Sequence, residues 1–124
     1  MSNAEKIAQL NDDFRQGITC ISVPPDFMIQ QSSNVPGIIV ATAGIEALML
    51  KDKVEIFQKI KSFDDFTPGN DPYGEHDFGS FQQNAEKIYW KFDYYDPQLE
   101  FGSDDPSDPS KTKRVLTIML SNEY

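Results

Sequence analysis

The stretch "HDFGSFQQNAEKIYWKFDYY", residues 76–95, decides the fold, because its two halves alternate in side-chain character around a central Asn84-Ala85. Asparagine tolerates positive φ, so a two-residue turn at that point predicts a β-hairpin. Gln83 then faces Glu86, Phe81 faces Ile88, Gly79 faces Trp90, Asp77 faces Phe92, and Glu75 faces Tyr94. This face is apolar and aromatic, hence the core side. A slip of one residue would carry Trp90 and Phe92 to solvent, so the hydrophobic pattern itself specifies the register. Gly79 opposite Trp90 leaves room for the indole to lie across a bare main chain.

The other face pairs Gln82 with Lys87, Ser80 with Tyr89, Phe78 with Lys91, and His76 with Asp93. The only histidine of the chain is thereby expected opposite a carboxylate. A carboxylate fixes the tautomer of an imidazole and raises its basicity, as a general base or a metal ligand requires. His76 and Asp93 are the candidate catalytic pair. With Asp96 they are the candidate cation ligands, a set suited to Mg²⁺ or Mn²⁺. The plainer reading is a cross-strand pair on a solvated face. In an extended strand Glu75 and Asp77 point away from His76, so "EHD" does not form three convergent ligands. Tyr89, Lys91, Tyr95 and Asp96 are the candidate binding residues, free to meet a partner on the side away from Trp90.

Outward from the hairpin, "NDPYG" (residues 70–74) has the composition of a type I turn, with Asp71, Pro72 and Gly74 at its corners. Residues 52–62 carry Val54, Phe57 and Ile60 on one stripe and read as a helix with Asp52 as its cap. "IIVATAGI" (residues 38–45) is β-branched and apolar and predicts a buried strand. At the N-terminus Ile7, Leu10 and Phe14 share one helical face over residues 3–16; Ser2 with Glu5 forms a capping box and Gly17 ends the helix. Residues 18–23 read as a short extended piece. Pro24, Pro25, Pro36 and Gly37 then mark residues 17–36 as a loop that is long for a compact domain, so it is either an insertion or a misread element. Residues 97–112 form an acidic loop rich in Pro and Ser, with a short extended piece at 99–101. "KRVLTIMLSNEY" at the end has the Val, Thr and Ile content of a central strand, with a short helix as the lesser option.

The chain has 124 residues, enough for one domain, and its 39% apolar content can supply a core. A net charge of −9, from 20 acidic and 11 basic residues, argues against direct nucleic-acid binding, which needs cations to displace phosphate counterions. No apolar run reaches the roughly 18 residues of a membrane span. A polar N-terminus and a single cysteine, Cys20, predict a cytoplasmic protein without disulfides. The acidic run from Asp93 to Asp108 lacks the EF-hand pattern, and its Asp-Pro and Ser-Asp pairs are turn formers. No phosphate-binding glycine motif is present, and no cofactor is evident beyond the divalent cation that His76, Asp93 and Asp96 would take.

"LNDDFR", "FDDFTPGNDPYGEHDFGSF", "WKFDYYD", "LEFGSDDPSDP" and "RVLTIMLSNEY" together resemble the bacterial family named domain of unknown function 3768, small proteins of proteobacteria, plasmids and phages. The resemblance runs from about Leu10 to Tyr124. Relatives carry Asp-Gly at the position of Asn84-Ala85, which fits the two-residue turn, and lack part of residues 17–36. The resemblance implies no activity.

The expectation is a single α+β domain, an antiparallel sheet of about four strands with two main helices on one face. For function it is a non-enzymatic interaction or regulatory module with a protein partner of basic character, carried on a mobile element. The alternatives are a small metal-dependent or acid-base enzyme centred on His76 and Asp93, and an acidic mimic of nucleic acid.

Overall fold

The computed structural model describes residues 1–23 and 26–124. The first helix, α1 (Asn3–Gln16), begins and ends as its sequence dictates. Ser2 Oγ accepts the N–H of Glu5 at 3.1 Å, and Gly17 closes the last turn on the carbonyls of Asp13 and Arg15. Ile7 and Phe14 are buried on one side of it.

Strand β1 (Ile18–Val23) pairs antiparallel with β2 (Asp26–Gln31) as a separate two-stranded sheet, Ile18 opposite Gln31. The insertion loop expected over residues 17–36 is therefore largely a hairpin. Its second strand, "DFMIQQ", shows little alternation, and the neighbouring prolines hid it. The expected break at Pro24-Pro25 lies outside the described residues. Ile18 anchors this hairpin in the core, and Gln31 donates to the Phe14 carbonyl at 2.9 Å.

The main sheet has the order β3-β6-β5-β4. Strand β3 (Gly37–Ala41) runs parallel to β6 (Lys113–Leu120), whereas β5 (Glu86–Tyr95) is antiparallel to both β6 and β4 (Phe78–Gln83). The sheet is thus mixed, not wholly antiparallel. A period of two is the same in either direction, so residue pattern could not distinguish them. The extended piece expected to run to Ile45 stops at Ala41 and turns into α2 (Ala43–Glu46). It is also an edge strand, with Ile38 37% and Val40 40% exposed, rather than a buried one. The "KRVLTIML" segment is central, paired on both sides.

Helix α3 (Leu50–Ser62) starts earlier than expected, with Met49 at its cap. Asp52 lies inside the first turn, and its carboxylate instead accepts from Asn84 at 2.6 Å and Gln83 at 3.1 Å. That contact ties the helix to the hairpin tip, where Asn84 has φ 53°. Ile56, Phe57 and Ile60 of α3 and Phe14 of α1 join Ile88, Trp90, Phe92, Leu116 and Ile118 in one core. These five strand residues share a face by alternation and register, so both long helices cover the same side of the sheet.

The hairpin register is as alternation requires: Gly79 opposite Trp90, Phe81 opposite Ile88, Gln83 opposite Glu86. Its lower end is not. Strand β4 begins only at Phe78; Asp77 still gives its carbonyl to Phe92, but His76 has φ 55° and has left the strand. Residues 99–101 likewise form no strand; Leu99 has φ 59°, and a single bridge joins Tyr95 to Gly102.

Candidate functional site

Two regions gather polar chemistry. The first lies between α1 and the 64–77 connection. Asp12 Oδ1 accepts from Arg15 Nη2 at 2.7 Å and meets His76 Nδ1 at 2.9 Å. The His76 ring stacks flat on Phe66, 3.9 Å between centroids, and its Nε2 lies 3.8 Å from Asp71 Oδ2. Asp71 Oδ1 accepts the main-chain N–H groups of Glu75 and His76, and Gly74 closes the expected turn on the Asp71 carbonyl. His76 therefore pairs with Asp12, not with Asp93. The turn conformation at His76 rotates its side chain off the strand face and towards α1.

Beside it lies a buried polar network. Arg15, fully covered, donates to the Ile60 and Phe63 carbonyls at 2.7 and 3.0 Å and so caps the C-terminus of α3. Asn11 donates to the Glu75 carbonyl and the Tyr94 hydroxyl and accepts from Arg114 Nε at 2.7 Å. Arg114 also donates to the Pro106 carbonyl, fixing the acidic loop to the body. Burial lowers the pKa of both arginines and raises that of the Tyr94 phenol. The Glu75 and Asp77 carboxyls are pushed up, chiefly by burial and next by neighbouring carboxylates, although main-chain hydrogen bonding partly offsets this at Asp77. Neither hollow on the opposite face of the sheet is lined by His76. The geometry is that of a tertiary clasp.

The second region is the face of the sheet opposite the helices. Alternation and register place Ile38 and Val40 of β3, Val115 and Thr117 of β6, and Tyr89, Lys91, Asp93 and Tyr95 of β5 on it. Lys91 Nζ and Asp93 Oδ2 pair at 2.9 Å; the bond to Asp93 is the main reason the lysine pKa rises. Tyr89, Phe78 and Tyr124 form an edge-to-face aromatic group with centroids 5.3 to 6.1 Å apart. Two hollows open here. One of about 300 Å³ is lined by Ile38, Tyr95, Leu99 and Val115. The other, about 340 Å³, includes Tyr73, Asp77, Lys91, Asp93 and Tyr124 in its wall.

The expected binding residues Tyr89, Lys91 and Tyr95 thus share one face, where Tyr95 is exposed and Tyr89 is half-buried against Phe78 and Tyr124. Asp96, at the end of β5, accepts the Glu100 N–H and shapes the turn that carries Leu99. His76, Asp93 and Asp96 do not converge, and among the described residues no three His, Cys, Asp or Glu side chains are placed to hold a metal ion. The carboxylates of the acidic loop are engaged locally: Asp105 accepts from Ser107 and Asp108 from Ser110, which lowers both pKa values.

Asn11, Asp12, Arg15 and Arg114 carry no motif that marks them in the sequence, and Asp71 reads only as a turn corner. A signal existed for two of them. Asn11 sits in the helical stripe of Ile7 and Phe14, and Arg114 has the strand parity of Leu116 and Ile118, so each is a polar residue at a core position.

These features define a small α+β protein with a mixed sheet, helices on one face and an aromatic, partly apolar opposite face. The chain belongs to the family described as Protein of unknown function (DUF3768), whose profile matches residues 41–123. The match takes in α2 to the end of β6, with Phe66, Asp71, His76 and the β5 and β6 part of the exposed sheet face, and leaves α1, the first hairpin and Ile38 and Val40 of β3 outside. No curated protein and no solved structure matches the chain. Among the described residues no helix is long and apolar enough to cross a membrane.

Proposed function

We propose that this chain is a non-enzymatic interaction module that holds a protein partner on the helix-free face of its main sheet. One observation carries the reading: Ile38, Tyr95 and Leu99 are each exposed by more than a third around a shared hollow, and Val40, two residues along the same strand face, is exposed as well. Parallel strand pairs are ordinarily covered on both faces, yet on the outer side of the β3–β6 pair Ile38 and Val40 stay exposed. Contiguous exposed apolar surface of this kind marks interaction sites. The chain carries −9 overall, so the partner that fits presents apolar side chains interspersed with Lys or Arg. The Asp12–His76 pair favours an enzyme less, since a general base must face a space that admits substrate. A cytoplasmic setting, with the chain's single cysteine unpaired, accords with this reading.

The test is capture of a partner on the immobilised chain, compared between wild type and face variants. Tyr95→Ala or Tyr89→Ala is expected to weaken capture, and added salt to weaken it further, while His76→Asn leaves it unchanged. A partner retained equally by the tyrosine variants, or released by His76→Asn, would sink the reading.

A further inference from the structure

The outer edge of β3 is as open as its face. In the parallel ladder the Pro36 carbonyl accepts from Arg114 and the Thr42 N–H donates to Ile118, so residues 36, 38, 40 and 42 direct their main-chain groups at β6. Gly37, Ile39 and Ala41 direct theirs outward. Among the described residues nothing hydrogen-bonds to those outward N–H and C=O groups. Ile39 and Ala41 face the core by parity and are still only partly buried, as expected where no further strand lies alongside. Edge strands elsewhere are guarded by charge, proline or a covering element. The segment "GIIVA" carries no charge and no proline. At the other edge Lys59 Nζ occupies the Gln82 carbonyl at 3.1 Å.

We infer that β3 is the docking edge for an extended segment of a partner protein, which adds as a fifth strand and alternates apolar with basic side chains. The inference rests on the proposed function and specifies how the partner binds. An added strand puts every second side chain on the helix-free face next to Ile38 and Val40, within reach of the hollow lined by Tyr95, Leu99 and Val115. Main-chain bonds to Gly37, Ile39 and Ala41 supply affinity without sequence demand; the hollow selects apolar side chains on one side of the added strand, and the net charge of −9 favours basic ones among the rest. Charge decides against a second copy as occupant, because pairing two chains of net charge −9 sums like charge, whereas a cationic strand neutralises it.

The probe is a blocked octapeptide alternating valine and lysine, added to the full chain, with amide hydrogen exchange read residue by residue. The amides of Gly37, Ile39 and Ala41 are expected to slow by about tenfold or more on binding. The matching valine–glutamate peptide is expected to leave them unchanged. Ala41→Pro removes one outward N–H and none of the β6 ladder, and should weaken the lysine peptide by about fivefold, the weight of one main-chain hydrogen bond. Should that variant fold poorly, the wild-type amide protection alone decides. Absence of binding overturns the inference, as does binding that leaves these three amides unprotected. Protection that grows with protein concentration and without peptide assigns the edge to a second copy, and overturns it too. None of these results touches the face reading, which stands or falls on Tyr89 and Tyr95.

Discussion

Asp12 of α1 and His76 at the foot of β4 meet at 2.9 Å through the same carboxylate oxygen that Arg15 holds at 2.7 Å. The contact joins the N-terminal helix, which lies outside the family match, to the loop before the hairpin, which lies inside it. His76 reaches Asp12 only because its main chain adopts φ 55°.

That backbone choice makes substitutions at His76 order themselves by tolerance of positive φ. Asparagine enters the left-handed region readily, whereas a β-branched residue does so at a cost of about 1–2 kcal/mol. His76→Val is therefore expected to be less stable than His76→Asn by that amount, both below wild type. Urea unfolding of the pair measures it; equal midpoints would show that the turn carries no strain.

Arg15 is buried, and its guanidinium serves two carbonyls and one carboxylate. Arg15→Met retains most of the stem but strips the α3 C-terminus of its donors and leaves Asp12 with His76 alone. A loss of about 3 kcal/mol is expected, in the range for breaking a buried charged contact. A loss under about 1 kcal/mol in denaturant melts would mean that water replaces the arginine without penalty.

At Gly79 an added Cβ would lie 2.5 Å from the indole of Trp90, itself wholly buried. Neither the ring, packed edge-on against Phe63, Phe66 and Phe92, nor the strand has room to yield. Gly79→Ala should cost about 1–3 kcal/mol and shift the tryptophan fluorescence. An unchanged spectrum and midpoint would place the indole elsewhere.

Glu75 and Asp77 have folded-state carboxyl pKa values raised above their ordinary 4.5 and 3.8. A raised acid is protonated more readily in the native state, so ionising it at neutral pH works against folding. The penalty is present above the folded values and disappears as pH falls towards the ordinary ones. Glu75→Gln and Asp77→Asn should each melt higher than wild type at pH 7, with the gain vanishing at acid pH. Glu123 has the opposite sign. Its carboxylate, held down first by the Thr42 hydroxyl and also by the Leu120 and Gly44 N–H groups, adds stability above its ordinary 4.5 that is lost as pH falls through the lowered value. Glu123→Gln should flatten the acid limb; a variant that keeps it intact would contradict that assignment.

Local chemistry made much of the fold legible. Alternation set which side of β5 carries Trp90 and Phe92, and a turn at Asn84-Ala85 set the pairing to Gly79 and Phe81. Ser2, Glu5 and Gly17 bounded α1 because caps are contacts within a few residues. The same alternation placed Tyr89, Lys91 and Tyr95 together on the opposite face.

What local chemistry could not carry was direction, edge and partner. Period two is blind to whether β3 runs with β6 or against it, and blind to whether a strand has one neighbour or two. Extrapolating the ladder two residues past Phe78 paired His76 with Asp93; the Asp71 turn and the reach of α1 gave it Asp12 instead, 64 residues away in the chain. By itself the sequence determined the hairpin register, the core face and the first helix, since each follows from neighbours within one turn or one strand pair. Only the tertiary structure decided the mixed sheet, the clasp of Asp12, Arg15 and His76, and the open edge of β3, since each depends on which distant element arrives, or fails to arrive, alongside.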